Sequence, residues 1–265
     1  MSMSSAEVEP GRPVVESVLR AMRLLDCFEM GRPEMTLAEL VRCGGYSKTT
    51  TYRLLTTLEE AGWLERTPSA AFRLTIKSFQ VGSIVMEGLE LRREAVPIMD
   101  KLAEDCGETV YLTVPSGTHA VCLERTDGGS AVRVADLHVG GAQPLHLGAG
   151  PRALLAFDED GLLPALLEAG LGRRTPHTIV DPDALRADLE RVRRRGYSIS
   201  DEDATLGVAA IGAPVFDAGG NAVAALSVGG LAPRILPPRP AVLDCLLQAS
   251  RRLSVRLGHR ETSHS

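Results

Sequence analysis

In the run Ser47-Lys48-Thr49-Thr50-Thr51-Tyr52-Arg53-Leu54-Leu55-Thr56-Thr57-Leu58-Glu59-Glu60-Ala61-Gly62, positions Thr51, Leu54, Leu55 and Leu58 recur at i, i+3, i+4 and i+7. That spacing puts them on one face of an α-helix. Ser47 is a residue type that caps a helix start, and Gly62 one that stops a helix. The opposite face presents Lys48, Thr49, Tyr52 and Arg53, and is polar and basic.

Upstream, Val14, Val18, Met22, Leu25 and Phe28 form the apolar stripe of a first helix. Thr36-Leu37-Ala38-Glu39 places a hydroxyl three residues before a carboxylate, the capping box of a second helix that runs from Thr36 to about Arg42. Cys43-Gly44-Gly45-Tyr46 then makes a tight turn. Downstream, Trp63-Leu64-Glu65-Arg66 and Ala71-Phe72-Arg73-Leu74 are two short strand-like runs around Thr67-Pro68-Ser69-Ala70, a hairpin wing. Three helices and a wing predict a winged helix-turn-helix over residues 14–75. Such folds set the start of the second motif helix in the major groove, where hydroxyls and cations reach phosphates and base edges. The expected DNA contacts are Thr36, Ser47, Lys48, Thr49, Thr50, Tyr52 and Arg53, with Arg73 on the wing. The same polar face also reads as the solvated side of a small bundle, and Arg66 and Arg73 as surface arginines.

The chain has 265 residues, 44% hydrophobic and 24% charged, with net charge −5. This composition belongs to soluble globular proteins and excludes collagen, disorder and disulfide scaffolds. No apolar run is long enough to span a bilayer, and the start lacks the order of a signal peptide, so a cytoplasmic location without membrane contact is expected. Residues 12–93 carry 12 Lys and Arg against 10 Asp and Glu, and residues 94–265 carry 17 against 22. That small asymmetry cannot by itself signal nucleic-acid binding. Cys27, Cys43, Cys106, Cys122 and Cys245 lack the spacing of a zinc or redox motif and read as reduced buried hydrophobes. His119 and Cys122 fall on opposite faces of a strand, so no metal site is expected.

Beyond the wing, an interrupted helical pattern over residues 76–93 reads as a linker helix. It is followed by a helix from Ala95 to Cys106 and by strands Thr109–Val114, Ala120–Arg125 and Ala131–Ala135, the last two joined by Asp127-Gly128-Gly129. A helix starts at Asp181-Pro182-Asp183 and stops at Gly196. The cluster Arg191, Arg193, Arg194 and Arg195 near its end invites a nucleic-acid reading, but cations there also interact favourably with the helix macrodipole, and the structural reading is preferred. Val208–Phe216 and Ala222–Val228 read as a buried hairpin, and Pro240–Leu257 as a last helix. The fold class is mixed α+β.

The segments Ser17–Asp26, Thr36–Leu40, Ser47–Leu55, Leu58–Leu64 and Phe72–Leu74 resemble the DNA-binding domain of the IclR family of bacterial transcription regulators. The resemblance continues through Pro144-Leu145-His146, Arg152–Ala156, Arg194–Ser198, Asp201-Glu202, Leu206-Gly207, Ala213–Asp217 and Ala224–Val228, and covers residues 15 to about 257. It implies a GAF-like effector domain with a mainly antiparallel sheet over residues 94–257; residues 1–13 are expected to form a disordered tail and residues 258–265 a flexible one. It also implies a homodimer, assembled as a dimer of dimers, that reads a pseudo-palindromic double-stranded DNA operator under control of a small organic acid acting on a catabolic or metabolic operon. No catalysis and no cofactor are implied. The effector would meet Ala149, Gly150, Ser200, Ala210, Ser227 and Gly229. Ser200 stands where an acid occurs in small-acid binders, Ala210 where a thiol does and Gly229 where a second serine does. A less polar pocket predicts an effector bulkier than a two- or three-carbon acid, such as an aromatic or cyclic carboxylate. Pro151 is read as the start of a helix whose free N–H groups favour an anion.

Three other readings follow from the residues. Gly148-Ala149-Gly150-Pro151-Arg152-Ala153 superficially matches a dinucleotide fingerprint but lacks its β-α-β setting. Ala225-Leu226-Ser227-Val228-Gly229 resembles a nucleophile elbow, which would make Ser227 the nucleophile of a hydrolase that uses its helix-turn-helix for assembly. A nonspecific architectural DNA binder is the third, and it would show no sequence preference.

Overall fold

A computed structural model describes residues 14–29, 31–88, 90–129, 138–158 and 161–260. The chain divides into two compact units, one ending at Leu89 and the other starting at Glu90. The expected strand Ala131–Ala135, the expected tail 1–13 and residues 261–265 lie outside the described residues.

The first unit contains α1 (Glu16–Leu25), β1 (Glu34–Met35), α2 (Leu37–Gly44), α3 (Lys48–Glu60), β2 (Leu64–Arg66), β3 (Phe72–Leu74) and α4 (Ile76–Gly88). α2 begins at the expected capping box: the Glu39 amide donates to the Thr36 hydroxyl, and the Thr36 amide donates to the Glu39 carboxylate at 2.8 Å. Gly45, at φ 71°, ends α2 in the left-handed region that glycine enters without strain. Thr51, Leu55 and Leu58 of α3 are buried, and Leu55 and Leu58 pack with Leu24, Leu40, Leu64 and Phe72. The wing is a three-stranded antiparallel sheet ordered β1-β3-β2. Its outer strand β1 is two residues long, too short for alternation to be read in sequence.

The cysteine expectation is corrected here. Cys27 at the end of the first-helix region and Cys43 in α2 form a disulfide with Cα atoms 6.1 Å apart, and Cys43 is exposed. Sixteen residues of separation hid a pairing that the packing of α1 against α2 creates. Cys106 and Cys122 are free and buried, and Cys245 is free and half-buried.

The second unit contains α5 (Glu90–Cys106), β4 (Thr109–Ser116), β5 (His119–Thr126), β6 (Ala142–Pro144), α6 (Ala149–Ala156), α7 (Leu162–Ala169), α8 (Pro182–Arg195), β7 (Ser198–Asp201), β8 (Val208–Phe216), β9 (Ala222–Leu231), α9 (Ala232–Ile235) and α10 (Pro240–Arg256). Its sheet is antiparallel throughout, ordered β6-β5-β4-β9-β8-β7. α5 starts five residues before the expected Ala95 and carries Pro97 in its interior. The hairpin of β8 and β9 closes through Asp217, whose carboxylate accepts from the amides of Gly219 and Asn221. α8 starts and stops as its sequence predicts, with the Asp181 carboxylate accepting from the Ala184 amide and Gly196 left-handed. In the expected C-terminal tail His259 is held: its amide donates to the Ser254 carbonyl, and its ring nitrogen Nδ1 lies 3.1 Å from the Asp217 carbonyl.

Candidate functional site

α3 offers its N-terminal half outward. Ser47 caps it by accepting from the Thr50 amide at 3.2 Å while its own hydroxyl donates to the Thr50 hydroxyl at 2.9 Å. Ser47, Thr50 and Thr36 therefore use their side chains to build helix starts. Lys48, Thr49 and Arg53 are exposed, and among the described residues their side chains make no hydrogen bond or ion pair. Tyr52 is exposed with the Arg66 guanidinium 5.5 Å from its ring centre. Arg66 also donates to Glu59 at 3.1 Å.

Arg73 is not a free wing cation. It donates to Glu65 at 2.6 Å and lies 3.8 Å from Glu34, and its hydrogen bond with Glu65 raises its pKa. A phosphate would have to compete with two carboxylates for it. β1 brings Glu34 opposite Arg73, so this pairing is set by a strand that the sequence does not announce.

In the second unit, one cavity holds about 520 Å³ of empty space, solvent at its mouth included. Ala149, Gly150, Ser200, Ala210, Ser227 and Gly229 all line it. Strand register explains the meeting of residues this far apart in sequence. Ser227 pairs with Gly212 on one side and Tyr111 on the other, and Gly229 pairs with Ala210, so their side chains share a face. α6 lies across that face because small residues let it approach. A Cβ on Gly150 would stand 2.8 Å from the Thr113 hydroxyl, and one on Gly212 would stand 2.7 Å from the Ala149 carbonyl carbon.

α6 begins at Ala149, two residues before the expected Pro151, since Gly148 at φ 79° turns the chain into it and Pro151 fits anywhere in a first turn. Ala149 and Gly150 therefore supply the first-turn amides, which lie ahead of the first intrahelical bond, from the Arg152 amide to the Gly148 carbonyl. Those amides and the helix dipole favour an anion beside the cavity. Ser200 is held by donating its hydroxyl to Asp203, and Asp203 is in turn held by Arg152. Tyr111 and Gln143 complete two walls that sequence reading missed. Neither carries a local signal, because only the pairing of β4 with β9 and of β5 with β6 puts them there.

Ser227 sits mid-strand with Val228–Leu231 continuing β9, so the strand-to-helix turn of a nucleophile elbow is not formed. Among the described residues that line the cavity there is no histidine, carboxylate or lysine to act as its base.

A winged helix-turn-helix in one unit, with an apolar cavity in a separate antiparallel-sheet unit, is the architecture of a DNA-binding transcription regulator. Residues 17–68 match the IclR helix-turn-helix domain, and residues 84–255 match the bacterial transcriptional regulator IclR C-terminal domain. The chain belongs to the IclR family. It is 32% identical over 249 residues to the HTH-type transcriptional regulator KipR of Bacillus subtilis, covering 90% of this chain and 97% of that one. A solved IclR-type structure from Silicibacter sp. TM1040 superimposes with a TM-score of 0.81 at 29% identity, covering 92% of this chain and 97% of that one. An IclR homolog from Microbacterium hydrocarbonoxydans, solved in complex with 4-hydroxybenzoate, shares the fold at 24% identity with a TM-score of 0.76, covering 91% and 99%.

Proposed function

We propose that the protein regulates a catabolic or metabolic operon by binding a pseudo-palindromic operator through α3 and the wing, and that a carboxylate in the cavity of the second unit controls this binding. The observation that carries the reading is the convergence of six residues from α6, β7, β8 and β9, Ala149 to Gly229, on one cavity beside the first amides of α6. The carboxylate would rest on those amides and on Ser227. Ala210, Gly229 and Tyr111 leave a mostly apolar space suited to a ring. The effector proposed is therefore an aromatic or cyclic carboxylate. It acts by binding one arrangement of the protein more tightly than the other, the only way a ligand shifts a conformational equilibrium.

A two-fold operator needs a two-fold protein. Exposed apolar side chains support self-association: Val14, Val15, Val18 and Met22 at α1, and Ile76, Phe79 and Ile84 on α4, where Phe79 is 69% exposed. A second copy would cover such stripes. Association into a dimer of dimers, in the cytoplasm, completes the proposal.

The test is binding of the full chain to DNA upstream of its own and neighbouring genes, at fixed salt with competitor DNA, with and without a panel of carboxylates. Specific binding altered by an aromatic or cyclic carboxylate is the expected result. Binding that no carboxylate alters would overturn the effector assignment, and absence of specific binding would overturn the regulator.

A further inference from the structure

The second unit contains another opening, of about 780 Å³ with solvent at its mouth included. It lies where β8 runs on past β7: the pairing of those strands ends at Ser198 with Gly212, and Ala213, Pro214 and Phe216 line the cleft beyond. Phe157, which follows α6, meets Phe216 edge-to-face with ring centres 5.5 Å apart, and the His259 ring lies 5.3 Å from Phe216. This makes an apolar, aromatic floor.

The last turn of α8 contributes Arg193 and Arg195 to the rim, and among the described residues no carboxylate belongs to the lining. Arg193 donates its Nε to the Ala156 carbonyl, and Arg195 donates its Nε to the Tyr197 carbonyl with its guanidinium 4.8 Å from the Tyr197 ring centre. These bonds orient both groups through Nε. Among the described residues neither guanidinium has a carboxylate within 4 Å. Cations at a helix C-terminus favour the macrodipole, which accounts for their sign but not for an aromatic cleft between them and α10. Partial burial lowers the Arg195 pKa, a cost that a bound anion would offset. The Ser250 and Ser254 hydroxyls already donate to the Pro214 and Ser250 carbonyls, which leaves recognition of charge to the arginines.

We propose that this cleft is a second ligand site for an organic oxyanion, carboxylate or phosphate, carried on a flat apolar body, with Arg193 and Arg195 holding the charge and Phe157 and Phe216 the body. The site is separate from the effector cavity yet built on the same elements. β8 lines the first cavity through Ala210 and the second through Pro214, while α6 begins at one and leads into Phe157 at the other. Ligands in the two would act on the same strand and helix.

Calorimetric titration of the full chain with phenyl phosphate and with benzoate, at constant ionic strength, tests this. With the effector cavity filled by Ala210→Leu, saturable binding of at least one probe is expected to remain, and the tighter of the two identifies the oxyanion. Arg193→Gln with Arg195→Gln should weaken binding about tenfold or more, since charge-assisted hydrogen bonds are lost. The paired lysine variant, in the same Ala210→Leu background, should weaken it less. Leu247→Trp, which fills the cleft without removing charge, should also abolish binding and stands in if the glutamine pair does not fold. No saturable binding of either probe at millimolar concentration would overturn the proposal. So would binding lost in Ala210→Leu but kept in the glutamine pair.

Discussion

Arg152 and Asp203, 51 positions apart, form a buried ion pair behind the cavity that Ser227 lines, and the same carboxylate accepts the hydroxyl of Ser200, which also lines it. Arg152 also donates to the Ile199 carbonyl and lies 3.3 Å from Asp188, which Arg191 approaches at 3.0 Å. The Asp203 carbonyl accepts from Thr178 at 2.7 Å. One guanidinium thus ties α6, α8 and the segment after β7 together.

Removing one partner of such a buried pair leaves the other charge uncompensated, which costs about 3–5 kcal/mol. Arg152→Met should lower the stability of the second unit by that amount in denaturant unfolding and should leave α3 able to fold. A loss under about 1 kcal/mol, the range of exposed pairs, would show that water reaches the network.

On α3, the free side chains separate two kinds of contact. Arg53→Ala should cost about 1–3 kcal/mol and relax discrimination at defined base pairs if it reads a base edge, whereas Lys48→Ala should weaken all sequences alike and lower the salt slope by about one if it meets phosphate. Quantitative gel shifts over a salt series distinguish the patterns. Arg73→Ala should have the smaller effect, because Glu65 and Glu34 already neutralise it.

Position 229 should set effector preference. A Cβ there meets only ordinary contacts, the nearest being the Tyr111 ring at 3.5 Å, so Gly229→Ser should fold. Its hydroxyl makes the cavity smaller and more polar, and should shift preference from ring carboxylates toward small acids by about tenfold, the scale of one added hydrogen bond. Calorimetry with benzoate and pyruvate reads the change.

The pH response of α2 follows from its cap. The backbone bond from Thr36, followed by its hydroxyl, pulls the Glu39 carboxyl down to about 2 from 4.5. A folded pKa below the unfolded one gives a contribution to stability that is fully present above pH 4.5 and is lost as pH falls through 2. Carboxyl chemical shifts should titrate accordingly, and Glu39→Gln should remove the dependence. An ordinary titration near 4.5 would show that the capping box is not formed in solution.

Thiol counting tests the Cys27–Cys43 bridge. Of five cysteines, three should react in denaturant before reduction and all five after it. In the native protein Cys122 should resist alkylation at pH 8, because burial pushes its thiol up to about 12. Reduction should destabilise the first unit by about 3 kcal/mol, the chain-entropy value for a loop of this length.

The sequence by itself determined the parts whose physics is local. Helix starts at Thr36, Ser47 and Asp181, the stop at Gly196, the α3 periodicity and the β8–β9 hairpin depend on contacts a few residues apart, and all are readable from spacing. The family's pattern further singled out six positions, on α6, β7, β8 and β9, that the fold brings to one cavity. Tertiary structure alone decided what depends on long-range pairing. Strand register put Tyr111 beside Ser227, β1 set Glu34 against Arg73, and helix packing joined Cys27 to Cys43. The burial of Arg152 between Asp188 and Asp203 belongs with these. Two side chains that meet across a sheet or between helices leave no periodic trace in either segment, because each segment's pattern records only which face is buried and not what covers it.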